Sequence, residues 1–177
     1  CCNLTSVHLP DSVTDMGYWT FGFCESITSV TIPKNIIDIG GRGFSNCTGL
    51  TNVTIPDNVK EIAWRAFMAC TNLTEVTIPA NTATVNDEAF MKCSALKRKK
   101  KKKGSQNYCS ENGILYDKSK TTLLKCPEGK EGELVIPNGV KKISHGALAN
   151  CKITEVTIPN SLIEIGKYSF SGCELKS

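Results

Sequence analysis

The chain has almost no histidine. His8 and His145 are the whole supply in 177 residues. Zinc and related ions need Cys or His at short intervals, such as Cys-x-x-Cys, and no such pair occurs. No metal and no cofactor are therefore expected. A nucleophilic Cys–His pair needs both residues in one pocket. His145 falls in a bend after Ile143, with nothing in the spacing to bring a cysteine to it, so no enzyme activity is expected. Gly40-Gly41 lacks the Gly-x-Gly-x-x-Gly spacing of a phosphate-binding loop and reads as a turn. No apolar run approaches the roughly 18 residues of a membrane-spanning helix. The first residue is Cys1, with no charged-then-apolar leader after it. The chain reads as starting within a longer protein.

Basic character is scarcer than the totals imply. Lys and Arg number 21 against 17 Asp and Glu, for a formal charge of +4. Seven of the basic residues are consecutive, from Lys97 to Lys103. Without them 14 remain against 17, a balance of −3. A nucleic-acid partner is not expected from such a body, and the excess belongs to one segment.

What the chain has in abundance is repetition. Proline stands at Pro10, Pro33, Pro56 and Pro79, a step of 23. Cys1, Cys24, Cys47, Cys70 and Cys93 keep the same step, as do Phe21, Phe44, Phe67 and Phe90. After an interruption the pattern resumes at Pro137 and Pro159, with Cys151, Cys173 and Phe170; Leu148 takes the aromatic place once. One period shared by three residue types marks a repeat array.

Within a unit, Leu50-x-x-Val53-x-Ile55-Pro56 alternates as a half-buried strand does. Pro56 ends the strand because it has no N–H to donate. The Ala66-Phe67 piece is expected to form one helical turn on the far side. The few apolar side chains of one unit cannot offset the ordering of 23 backbones. Stacked units can, because they share a core and pair their strands laterally, which is the physics of a solenoid.

The pattern Cys-x-x-Leu-x-x-Val-x-Ile-Pro-x-x-Val-x-x-Ile-Gly-x-x-Ala-Phe resembles the leucine-rich repeats of BspA-like surface proteins. The copies that start at Cys24, Cys47, Cys70 and Cys151 carry it best. Thr82 departs from the Val position, and Ala63 and Asn86 from the Gly position. The likeness spans nearly all of the chain except about 97–113. It implies an α/β, β-rich fold: a right-handed leucine-rich-repeat solenoid, or horseshoe, with a parallel concave sheet. It brings no catalytic residues. By analogy it implies adhesion at the cell surface, with host or extracellular-matrix proteins as partners.

Residues 1–177 are thus expected to form a single solenoid. Neither end carries a cap, which suggests an excerpt of a longer array. The expected insertion is 97–133. Within it, Ile114-Leu115-Tyr116 and Thr122-Leu123-Leu124 flank a polar turn and predict a β-hairpin. Hairpins with a Gly-x-Leu-Tyr motif are familiar inserts in the resembled family, and Gly113-Ile114-Leu115-Tyr116 matches it. The lysine run places Lys99 and Lys101 at two core positions. Burying unpaired ammonium groups is costly, so this rung is expected to lack its strand or to loop out. A solvated charge run, a stretch of translated poly-A and a polyanion or nuclear-import patch are the readings left open.

The laddered cysteines read as buried free thiols that act as small hydrophobes. Rungs about 4.8 Å apart are within disulfide reach, but parallel side chains in a column of seven cannot all pair. Cys109 and Cys126 flank the hairpin, and a bond between them stays open.

Residues between the core positions of each strand point outward and form two columns. The first is Ser6, Ser29, Asn52, Glu75, Glu133 and Glu155. The second is His8, Thr31, Thr54, Thr77, Val135 and Thr157. These twelve are the candidate ligand-binding residues. No aromatic anchor lies among them, so high affinity from this stretch is not expected. Tyr18, Trp19 and Trp64 lie instead in the bend before the Phe. The functional expectation is a non-catalytic protein-binding module, extracellular or at the cell surface. The alternatives are an intracellular scaffold and polyanion binding through Lys97–Lys103. The facing assignment yields a test. Ile55→Asp should lower the unfolding midpoint sharply, since an unpaired buried carboxylate costs several kcal/mol. Thr54→Asp should leave it nearly unchanged in a thermal melt.

Overall fold

The computed structural model describes residues 3–96, 98–101 and 104–176. Cys1 and Cys2, and Lys97, Lys102 and Lys103 of the basic run, lie outside the described residues. The first strands are β1 (Ser6–His8), β2 (Ser29–Thr31), β3 (Asp38–Ile39), β4 (Asn52–Thr54), β5 (Glu61–Ile62), β6 (Glu75–Ile78), β7 (Thr84–Val85) and β8 (Arg98–Lys101). They form two parallel ladders. The long ladder runs β1-β2-β4-β6-β8, and the short one β3-β5-β7. The rungs of β2, β4 and β6 thus each contribute one longer strand, a proline turn and a two-residue strand. The proline turn closes with Ile36 N–H on Pro33 O and Val59 N–H on Pro56 O. Register follows the 23-residue step, pairing Val30 with Val53 and Ile39 with Ile62.

The class is all-β rather than α/β, because the expected helical turn is absent among the described residues. The bend around Ala66-Phe67 is built from successive turns, Met68 N–H to Arg65 O and Cys70 N–H to Phe67 O. Two left-handed residues four apart frame it: Arg65 (φ 56°) and Ala69 (φ 59°), matched by Arg42 and Asn46, and by Trp19 and Phe23. A right-handed helix cannot pass through such positions. They release the N–H groups to the next rung instead: Phe44 donates to Ala66 O at 2.8 Å, and Asn46 to Met68 O at 2.7 Å.

The remaining strands are β9 (Tyr108–Glu111), β10 (Ile114–Asp117), β11 (Thr122–Lys125), β12 (Glu131–Val135), β13 (Lys142–Ile143), β14 (Lys152–Thr157) and β15 (Glu164–Ile165). The predicted hairpin is β10–β11. An additional strand, β9, pairs antiparallel with β10. The turn between them is Asn112 (φ 49°) and Gly113 (φ 83°), the pairing of residues that a two-residue hairpin favours. β11 then pairs parallel with β13 and begins a second short-strand ladder, in a separate sheet of order β15-β13-β11-β10-β9. Leu123 pairs with Ile143 in that ladder.

The lysine-rich rung does not lack its strand. β8 pairs parallel with β6, placing Lys99 opposite Val76 and Lys101 opposite Ile78. Strand pairing is made by backbone groups, and β6 offers a complete edge to whichever residues follow. The long ladder then breaks. β12 pairs with β14 in a separate two-stranded sheet.

Core packing follows the columns. Phe21, Phe44, Phe67 and Phe90 stack with centroids 5.3–5.4 Å apart. Two apolar clusters fill the array and meet at β10. Leu115 belongs to the first, and its neighbours Ile114 and Tyr116 to the second. The insert is therefore buried on both faces and joins the two halves of the core. The bend conformation is testable at Ala69. Ala69→Gly should keep or raise the urea midpoint, since a left-handed residue with a Cβ costs about 1–2 kcal/mol. Ala69→Val should lower it.

Candidate functional site

The outward columns sit where the strand alternation requires. In the first block Ser6, Ser29, Asn52 and Glu75 follow one another across the register, and His8, Thr31 and Thr54 do the same. Their neighbours Val30, Val53 and Val76 point into the core. Ser6, His8, Ser29, Thr31, Asn52 and Thr54 are exposed, while Glu75 and Thr77 are half-buried beside β8. Glu133, Glu155, Val135 and Thr157 are exposed too, and they pair as Glu133 with Glu155 and Val135 with Thr157. They stand on the second sheet, so the columns form two blocks rather than one continuous surface. Val135 is an apolar exception, 67 % exposed.

The bends form a lateral edge with a different chemistry. The Arg42 guanidinium lies between the rings of Trp19 (4.7 Å) and Trp64 (4.6 Å), and that of Arg65 lies 4.3 Å from Trp64. Glu88 closes the stack, accepting from Arg65 Nε at 2.7 Å and Trp64 Nε1 at 3.0 Å. Burial pushes the Glu88 carboxyl up, but Arg65 and Trp64 hold it below the usual carboxylate range. Of the aromatics in the bend, Trp19 and Trp64 thus pack against guanidinium groups.

Where the insert rejoins the array, this edge has a gap. Ile62 and Phe67 stand five apart in the third rung, and Ile143 and Leu148 likewise. Leu123 pairs with Ile143, and Cys126 N–H donates to Ala147 O at 2.7 Å, as Phe67 N–H does to Ala89 O. Cys126 therefore occupies the aromatic position only three residues after Leu123, and the bend is two residues short. The space left is a cavity of about 310 Å³. Asp87, Glu88, Lys125, His145, Asn150 and Tyr168 are among the residues that line it. Lys125 Nζ is held by Gly146 O at 2.6 Å. Tyr168 meets His145 edge-on at 5.6 Å. Burial lifts the Asp87 carboxyl above its ordinary range, against the pull of His145 and Lys125. Reading the sequence missed this site. Its only signal is the Leu123–Cys126 spacing, which means nothing until Leu123 is matched to Ile143.

The shortened rung also lacks a carbonyl for its neighbour. Glu128, 4 % exposed, supplies the acceptor, taking the Lys92 N–H on Oε1 at 2.7 Å.

The cysteines carry more than bulk. Cys47, Cys70 and Cys93 donate their thiols to Phe21, Phe44 and Phe67 O at 3.0–3.1 Å, and Cys173 to Leu148 O at 3.1 Å. Cys109 and Cys126 are not joined by a disulfide, and the Cys109 thiol donates to Asp117 O at 3.0 Å instead. Burial pushes Cys47 up to about 12 and Cys173 up to about 11, far from the thiolate a nucleophile needs. Among the described residues no group of three His, Cys, Asp or Glu could hold a metal ion. No helix among them is long and apolar enough to cross a membrane.

A family model described as the BspA type leucine-rich repeat region matches residues 1–107 and 128–177, in six copies. The unmatched 108–127 hold β9, β10 and β11. A leucine-rich repeat protein from Eubacterium ventriosum is similar in structure, with a TM-score of 0.81 at 25 % identity, over 96 % of this chain and 52 % of that one. A leucine-rich cell surface protein from Faecalibacterium prausnitzii gives a TM-score of 0.65 at 29 % identity, over 99 % and 61 %. The pneumococcal vaccine antigen PcpA shares the fold, with a TM-score of 0.81 at 23 % identity, over 91 % and 41 %. The chain thus spans about half the length of these solved proteins. No curated protein matches it.

Glu128 gives the prediction here. Glu128→Ala should destabilise the chain by about 1 kcal/mol, the net worth of the part-buried hydrogen bond it removes. Glu128→Gln should retain most of the stability, as read by urea unfolding.

Proposed function

The chain belongs to the BspA-type leucine-rich repeat family, and from that premise we propose that it is a non-catalytic protein-binding module of the cell surface or extracellular space. Adhesion to host or matrix proteins is the form this binding takes. The observation that supports it is the outer face of the long-strand sheet. Its backbone groups pair with neighbouring rungs, so a ligand on this face would meet the side chains of the two columns. They are mostly short and polar, Ser, Thr and Asn, and turn acidic at Glu75, Glu133 and Glu155. A polar strip of this kind suits a protein surface better than a small molecule, which needs an enclosing and mainly apolar pocket. The name of the Faecalibacterium relative supports the location.

The test is a binding screen of the immobilised chain against matrix and serum proteins. Thr31→Arg combined with Thr54→Arg should weaken the partner so found about tenfold or more, a loss of about 1.4 kcal/mol, with the unfolding midpoint unchanged. Undiminished binding would remove the sheet face as the contact. Retention on heparin at low salt, lost when 97–103 is neutralised, would favour the polyanion reading instead.

A further inference from the structure

We propose that the cavity at the shortened bend receives an arginine side chain of a protein partner. This site is separate from the sheet columns and stands whether or not they bind. The argument starts from the edge itself. In the earlier rungs the edge fills its own surface with a guanidinium against an aromatic ring, as in Arg42 between Trp19 and Trp64 and Arg65 on Trp64, and at Arg65 the carboxylate of Glu88 closes the stack. At the gap two of the three parts are present. Tyr168 presents a ring that is 70 % exposed, edge-on to His145. Asp87 presents a carboxylate that accepts no hydrogen bond and makes no ion pair among the described residues. The third part is missing, since no arginine lines the cavity.

Of the other charges there, Glu88 is already paired with Arg65 and Trp64, while Lys125 is anchored on Gly146 O and keeps its positive charge. Asp87 is the open acceptor. Burial raises its carboxyl, so an incoming cation would stabilise the ionised form. At about 310 Å³ the cavity lies at the low end of the roughly 300–1,000 Å³ of ligand sites, which suits one side chain rather than a cofactor. Arginine fits better than lysine because a planar guanidinium stacks on a ring while its N–H fork meets a carboxylate.

The test uses the full chain and N-acetyl-L-arginine methylamide, with the citrulline counterpart as a neutral isostere. Ring resonances of Tyr168 and His145 are followed by NMR. Saturable shifts with the arginine probe are expected, with affinity about tenfold or more above that for citrulline, as a charge-assisted contact gives. Asp87→Asn should abolish that preference without moving the unfolding midpoint. Tyr168→Leu should weaken the arginine probe and serves as the second variant should Asp87→Asn disturb folding. Absence of saturable shifts, equal affinity for the two probes, or a preference that survives both substitutions would overturn the proposal. Loss of sheet-face binding with these shifts intact would leave it standing.

Discussion

The structure depends on hydrogen bonds that each rung cannot make for itself. Strands, bends and side chains all hand their donors to a carbonyl about one repeat away. Phe44 N–H meets Ala66 O, and the Cys70 thiol meets Phe44 O. Asn35 and Asn58 side chains reach Asp11 O and Lys34 O. Buried polar groups are costly when unpaired, so a rung is satisfied only beside a neighbour of matching length. That requirement matches each rung to its neighbour, at a step of 23 residues from Val30 to Val53 and of 22 from Ile143 to Ile165. Apolar volume tolerates exchange, as Leu148 in the phenylalanine column shows; a displaced carbonyl does not.

The insert shows how the requirement is met when length fails. β11 takes the place of the short strand, and β10 lends a face to each half of the core. Cys126 fills the aromatic position, and the Glu128 side chain stands in for a backbone acceptor that the shortened bend lacks. The long ladder is not repaired, and β12 begins a sheet of its own.

The period, the core columns, the outward columns and the β10–β11 hairpin were legible because each rests on spacing alone. The bend was not. Arg42, Arg65 and Trp19 give no sign in their side chains of a left-handed backbone, and Ala66-Phe67 suits a helix just as well. β9 was missed although Asn112-Gly113 announces its turn. β8 was misjudged because side-chain cost was weighed while pairing is made by the main chain, which is the same in lysine as in valine. The cavity was invisible for a further reason. It is defined by residues that are missing, and a shortfall can be counted only across rungs already aligned in space.

That shortfall bears on how such arrays diversify. Deleting two residues from one bend leaves its neighbours intact, keeps every column of the interior filled and turns a continuous ridge into a notch walled by side chains that had other tasks. A repeat protein can therefore gain a recess by subtraction. The new wall inherits the chemistry of the old ridge, so the position of a deletion, more than any substitution, decides what the recess can hold.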